Sequence, residues 1–365
     1  MTYDVAIIGA GIAGASLGWA LRQQSDLRVV LIEMEAAPGY HTTGRSAAFW
    51  VESYGGPGIV PLTRRSKAFF DAPPPGFCEL ALLSRRASLV IEAPDAVGAL
   101  EREAADYDVG GVRYHWLDAA QMAANPAAPM VRPEWRRRGI CEPDCFDIDV
   151  AALHQGYLRG AEVVTDAAVT AVSRSSAGWS IATKAGVIAA KMIVNAAGAW
   201  ADDVAVLAGA RRRGLTPLRR TMAVLETDPP PPADLPVVMD ASGRFYFKPD
   251  GGRLWLSPHD EIPDTAHDVR PDEMDLAVVI DRFEQVSPVR VKRLVSSWAG
   301  LRTFAPDRLP VFGWDGAIEG MFWCAGQGGF GIQTAPAASA LCAALLLGLV
   351  PQVDQAPYLA TRFGA

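Results

Sequence analysis

The chain has 365 residues, half of them hydrophobic, which is enough to bury a large core in one or two units and makes a globular enzyme the default class. A formal net charge of −7 and a pI near 5.3 argue against nucleic acid as a partner, because binding phosphates needs clustered Lys and Arg. The five cysteines (Cys78, Cys141, Cys145, Cys324, Cys342) are odd in number, and no second Cys or His pair follows Cys141 and Cys145 at ligand spacing. Free thiols and no metal site are expected.

The N-terminus runs into an apolar strand, Val5–Ile8, with no basic leader or cleavage site, so a cytoplasmic location is expected. A helix over Ala13–Gln24 and a second apolar strand over Arg28–Glu33 complete a βαβ unit on a parallel sheet. Residues 79–92 and 215–258 alternate strand-like pieces with turns, including a hairpin from Phe245 to Leu256. A helix over Asp147–Arg159 leads into a strand Val163–Val172, a hairpin Trp179–Thr183 with Val187–Ile188, and an apolar strand Lys191–Asn195. A last strand, Met321–Ala325, enters a Gly-rich turn and a helix from Gly331 to Gly348. The apolar stretch Ala335–Val350 is too short for a bilayer span of about 20 residues, so it reads as a buried helix and no integral membrane segment is expected.

The strongest local signal is Gly9-Ala-Gly-Ile-Ala-Gly14, set between strand and helix, with Glu33 ending the next strand. Gly9 permits the tight turn, Gly11 lets backbone N–H groups approach a pyrophosphate, and Gly14 allows close helix–strand packing. The helix N-terminus around Ile12 and Ala13 adds positive potential. Glu33 can accept hydrogen bonds from an adenosine ribose and disfavours a 2′-phosphate. These parts point to a dinucleotide; FAD and a nicotinamide cofactor share the grip.

Gly39-Tyr-His-Thr-Thr-Gly-Arg-Ser-Ala-Ala, Leu153-His-Gln-Gly-Tyr-Leu-Arg-Gly, Val194-Asn-Ala-Ala-Gly-Ala-Trp, Phe245-Tyr-Phe-Lys-Pro-Asp, Trp298-Ala-Gly-Leu-Arg and Gln327-Gly-Gly-Phe-Gly-Ile-Gln-Thr together resemble the D-amino-acid oxidase superfamily of FAD enzymes, and within it the bacterial D-arginine dehydrogenases. The resemblance implies an α/β architecture with mixed β structure. A Rossmann-type FAD-binding domain (1–50, 140–214 and 303–365) would be joined to a discontinuous substrate domain (51–139 and 215–302) built on a mixed antiparallel sheet and helices. It implies non-covalent FAD, lined by Gly44, Arg45, Ser46, Ala47 and Ala48, by Val169, Ala197, Gly198 and Trp200, and by Gly328, Gly329, Gly331, Ile332, Gln333 and Thr334.

For the substrate, the resemblance assigns the carboxylate to Arg220, Arg302 and Tyr246, with Arg219 as an alternative register, since a planar guanidinium meets two carboxylate oxygens at once. Gly329 would offer its carbonyl to the substrate amine, and Tyr54 would sit on a mobile lid. Phe49, Val51, Ser88, Val237 and Met239 would form the side-chain pocket. Ser88 stands where D-arginine dehydrogenase has a glutamate, so a neutral, apolar side chain on a D-amino acid is expected unless Glu52 replaces that acid. Glycine and secondary amines stay open, as do the enantiomer, the electron acceptor and the choice of oxidase or dehydrogenase. The five histidines (His41, His115, His154, His259, His267) are read as structural. Competing readings are an NAD-dependent dehydrogenase and a flavin-binding subunit without turnover.

Overall fold

The computed structural model describes residues 2–364. The chain opens with β1 (Thr2–Ile8), α1 (Ile12–Gln24) and β2 (Val29–Ile32). It continues through β3 (Phe49–Val51), α2 (Val60–Asp71), β4 (Leu83–Arg85), β5 (Ser88–Ile91), α3 (Ala99–Gly110), β6 (His115–Leu117), α4 (Ala119–Ala124), β7 (Gly139–Glu142) and β8 (Cys145–Ile148). Next come α5 (Val150–Leu158), β9 (Glu162–Val164), β10 (Val169–Ser175), β11 (Gly178–Thr183), β12 (Gly186–Asn195) and α6 (Ala201–Leu207). The last part holds β13 (Thr216–Asp228), β14 (Val237–Asp240), β15 (Tyr246–Asp250), β16 (Arg253–Ser257), β17 (Ile262–Pro263), α7 (Glu273–Val286), β18 (Arg290–Phe304), β19 (Val311–Trp314), β20 (Met321–Ala325), β21 (Gln327–Gly328) and α8 (Gly331–Leu347).

One sheet gathers β10-β11-β12-β1-β2-β9, with β20 beside β12 and β19 beyond it. Its centre, β12-β1-β2, is parallel. Val5, Ile7, Val30 and Leu31 are fully buried, because helices cover both faces of a parallel sheet and every side chain meets apolar surface. Leu17 and Leu21 of α1 join Leu341 and Cys342 of α8 in one cluster over β1. Truncating Leu17 to Ala would cost about 2–5 kcal/mol. α8 is apolar on nearly all sides and correspondingly buried; among the described residues no helix is long and apolar enough to cross a membrane.

A second sheet runs β21-β18-β13-β16-β15-β14-β5-β7-β6, mixed but mostly antiparallel. β13 and β18 pair from Thr216↔Phe304 to Asp228↔Arg290, and this long ribbon brings the second sheet against the cleft of the first. A small sheet, β3-β8-β4, lies at the junction.

The expected βαβ unit, the hairpin β15–β16 and the last strand and helix all form. Three local expectations change. α5 starts at Val150, capped by the Asp149 carboxylate on Ala152 N–H, because residues 145–148 pair with β3 and β4. Val163–Val172 divides into β9 and β10 on opposite edges of the sheet, and 186–195 form one continuous strand. β7 falls in the range assigned to the nucleotide-binding part, yet it pairs with β5 in the second sheet.

Candidate active site

Gly9, at φ 105°, turns the chain from β1 into α1; a Cβ there would overlap the Ala196 carbonyl, and one on Gly14 would overlap the carbonyl of Gly9. α1 starts at Gly11 without a side-chain cap, so its first amides remain available to an anion, except Ile12 N–H, which donates to Thr43 Oγ1 at 2.9 Å. The buried Glu33 carboxylate accepts from Ala10 N–H (3.0 Å) and Glu35 N–H (3.1 Å), which fixes it at the end of β2. His154 supports the same turn, its Nε2 2.8 Å from the Ala10 carbonyl oxygen.

Gly9, Gly11, Ile12, Glu33 and Thr43 line an open cleft of about 1270 Å³, the solvent at its mouth included. Its walls include Gly9, Gly11, Ile12, Ala13, Glu33, Ser46, Val169, Ala197, Gly198, Trp200, Gly328, Gly329, Gly331 and Ile332. The N-terminus of the 17-residue helix α8, also without a side-chain cap, contributes Gly331 and Ile332 to this wall. Its positive end favours negative charge there.

A second cavity, of about 370 Å³, shares Ser46, Arg302, Gly329 and Ile332 with the first and is completed by Ala47, Ala48, Phe49, Tyr54, Arg220, Tyr246 and Gln333. The pairing Leu218↔Arg302 puts Arg220, two residues along β13, on the same face as Arg302. Both arginines are buried. Arg302 Nη2 donates to the Arg45 carbonyl at 2.8 Å, while its Nη1 is buried without a partner. Arg220 Nε donates to the Asp260 carbonyl (2.7 Å), and its Nη2 pairs with Glu261 (3.0 Å). Arg219 points elsewhere, to Asp275, and does not line the cavity.

Burial opposes the charge of Arg220, but Tyr54, Tyr246 and Glu261 outweigh it and hold its pKa above the ordinary value. Burial and the nearby Arg220 lower that of Arg302, and burial raises the Tyr246 phenol. His259, whose ring lies 5.6 Å from that of Tyr246, is pushed down to about 3 by burial and by Arg220 and Arg308, so it stays neutral. Two guanidinia, one of them paired with Glu261, give the cavity a positive potential that favours an anion.

Several expected residues take other jobs. The Arg45 guanidinium leaves the cleft for Asp268 and the carbonyls of Val269 (3.0 Å) and Ala299 (3.1 Å); its own carbonyl then holds Arg302. Gly44 closes a turn, its N–H donating to the Gly39 carbonyl, and does not line the cleft. Ala47 and Ala48 face the smaller cavity. Gln333 faces the smaller cavity too, and ties Val51 N–H, the Tyr54 carbonyl and Thr63 Oγ1 to α8, while Thr334 is buried with its hydroxyl on the Phe330 carbonyl.

Of the expected side-chain pocket, Phe49 lines the cavity. Val51 and Val237 are fully buried in a cluster with Cys145, packed against Phe49, Tyr54 and Met239; Ser88 is likewise buried, and Met239 packs beside Tyr246 off the wall. Glu52 pairs with Arg64 and is not on the cavity wall. Sequence reading missed the roles of Gly300, Glu261 and Thr43. Gly300 leaves room for Arg302, since a Cβ there would come within 2.6 Å of Nη1; its signal was the glycine within Trp298–Arg302. His41, read as structural, lines the cleft, paired with Glu35 and tilted against Trp200. Among the described residues no His, Cys, Asp and Glu group could hold a metal.

A model of the FAD-dependent oxidoreductase family DAO matches residues 4–345. Hydrogen cyanide synthase subunit HcnC of Pseudomonas aeruginosa is 26% identical, spanning 99% of this chain and 96% of that one. Glycine oxidase of Geobacillus kaustophilus is 25% identical over 99% of this chain and 97% of its own. Its crystal structure superposes with a TM-score of 0.84 at 23% identity, covering 99% of each chain. L-proline dehydrogenase from P. horikoshii superposes with a TM-score of 0.85 at 19% identity, over 99% and 98%. The uncapped start of α1, the anchored Glu33 and the glycine-lined cleft are what FAD needs of its protein. The chain belongs to the DAO family of FAD-dependent oxidoreductases.

Proposed function

We propose that this chain oxidises the carbon–nitrogen bond of a small, uncharged amino acid, with a neutral D-amino acid as its substrate. The observation that carries this reading is the convergence of Arg220, Arg302 and Tyr246 on one cavity, with Arg302 Nη1 left unpartnered where a carboxylate oxygen fits. FAD, which the cleft lined by Gly9, Gly11, Glu33 and Gly328 would hold without a covalent bond, would supply the acceptor for the hydride lost from the substrate Cα.

The two arginines and the Tyr246 hydroxyl bind the carboxylate and so fix which Cα substituent faces the cleft; proximity supplies most of the acceleration. Their positive charge also lowers the pKa of the substrate ammonium beside them, favouring the neutral amine that can lose hydride. The Gly329 carbonyl, at the wall both cavities share, would accept from that amine. His259 is neutral and engaged beside Tyr246, so the chemistry proceeds without a protein base at Cα. The imino acid released is hydrolysed by water to a 2-oxo acid and ammonia.

The cavity holds no acid for a basic side chain, with Glu52 committed to Arg64, and burying an unpaired cation there would cost several kcal/mol. Its small volume and the Phe49 ring favour a second reading within the same chemistry, glycine or N-methylglycine. A substrate panel with oxygen and with an artificial acceptor tests both. D-alanine, D-methionine or glycine should exceed D-arginine and D-lysine in kcat/KM, and the reverse ranking would refute the neutral-pocket reading.

A further inference from the structure

Glu142, the last residue of β7, is a carboxylate that the chemistry above does not use, and it is 1% exposed. Oε1 accepts from Glu52 N–H at 2.7 Å and from Ser53 N–H at 3.4 Å, and Oε2 accepts from Ser53 Oγ at 2.6 Å. All three donors belong to the turn that presents Tyr54. The groups around the carboxylate are Glu52, Tyr107, Cys141 and Cys145; the charge bearing on it, that of Glu52, has the same sign. Burial therefore pushes its pKa up to about 7. A carboxylate kept in so costly a place is held by what it binds.

Tyr54 is held from the other side by Gln333, whose Nε2 donates to the Tyr54 carbonyl at 3.1 Å. Its ring packs between those of Phe49 (5.9 Å) and Phe330 (6.0 Å), and its hydroxyl lies so close over Gly329 that no Cβ would fit there. The hydroxyl thus reaches the wall shared by cofactor cleft and substrate cavity. Gly55 and Gly56, both at positive φ, follow at once and close the turn, Gly56 N–H donating to the Ser53 carbonyl at 3.0 Å.

We propose that Glu142 is a positioning residue: it anchors the 52–53 turn so that Tyr54 closes over the bound substrate. This inference rests on the carboxylate-binding reading of the cavity. Substrate binding should depend on Glu142 through Tyr54, while hydride transfer from bound substrate should not. Gln can replace Glu142, because its Oε1 accepts from the same two amides and its Nε2 can donate to Ser53 Oγ. Ala leaves both amides without an acceptor.

The test is anaerobic rapid mixing of holoprotein with the best neutral amino acid, which separates substrate Kd from the limiting rate of flavin reduction. Glu142→Ala should raise Kd about tenfold and change the limiting rate less than about twofold, and Glu142→Gln should restore Kd to within about twofold. In a Tyr54→Phe background the alanine change should add less than about twofold. A folded, yellow Glu142→Ala protein with unchanged Kd would overturn the proposal, as would a full tenfold effect persisting without the Tyr54 hydroxyl. Where that variant does not fold, Ser53→Ala serves, with a Kd rise of about threefold expected and none overturning the idea. If no amine reduces the native flavin, the functional reading has failed on its own. Glu142 is then judged by the same ratios in the Kd of pyruvate, read from its perturbation of the flavin spectrum.

Discussion

The cleft assigned to FAD and the cavity proposed for the substrate share a wall but are made in different ways. The cleft is built from backbone: glycines at 9, 11, 328 and 329, two uncapped helix starts, and Glu33 held by main-chain amides. The cavity is built from side chains carried by distant strands, and its key atom, Arg302 Nη1, is placed by the carbonyl of Arg45, 257 residues away along the chain. A backbone site fails when space is filled, whereas a side-chain site fails when a partner is removed.

The largest effect should come from filling the backbone site. Gly14→Val drives a side chain into the Gly9 carbonyl, so colourless protein, or none that folds, is expected; yellow protein with native FAD content would break the comparison. Removing a partner should spare the cofactor. Arg302→Met should retain FAD, measured by absorbance, while kcat/KM falls about a thousandfold, because the buried carboxylate it serves loses a charged donor. Smaller again is Gly300→Ala, whose new methyl presses on the Arg302 guanidinium. KM should rise about tenfold with FAD unaffected.

The smallest effect is on stability and concerns Glu142. Its folded pKa, about 7, lies above the ordinary 4.5, so the folded state holds the proton more tightly than the unfolded chain. The stability this gives is complete below the unfolded value and is lost as pH rises through 7, on the order of 3 kcal/mol at most. Glu142→Gln should therefore raise Tm by a few degrees at pH 8 and alter it little at pH 5, by thermal melts of holoprotein. An equal shift at both pH values would show that the carboxyl does not titrate in this range.

The same contrast explains what was legible in the sequence. Gly9, Gly11, Gly14 and Glu33 act through local geometry, so their spacing alone revealed the βαβ unit and half the cleft. Arg220 and Arg302 meet only because β13 and β18 pair, a contact between residues far apart in the chain, and family resemblance rather than pattern located them. The side-chain pocket was the least legible part. Val51 and Val237 are fully buried with Phe49 and Tyr54 packed against them, Ser88 is buried as well, and no alternation of residues foretells which side chain faces a cavity. Arg45 and Gln333 were placed in the right neighbourhood with the wrong partners. Long side chains choose among neighbours that only the assembled fold supplies.

The most direct measurement is anaerobic titration of purified holoprotein with D-alanine, and separately with glycine, following the oxidised-flavin band. At least one of them should bleach the native protein completely, and Arg302→Met, equally yellow at the start, should need a far higher concentration to respond. Native protein that stays oxidised with every neutral amino acid, or an Arg302→Met variant that bleaches as readily, would contradict the proposed function.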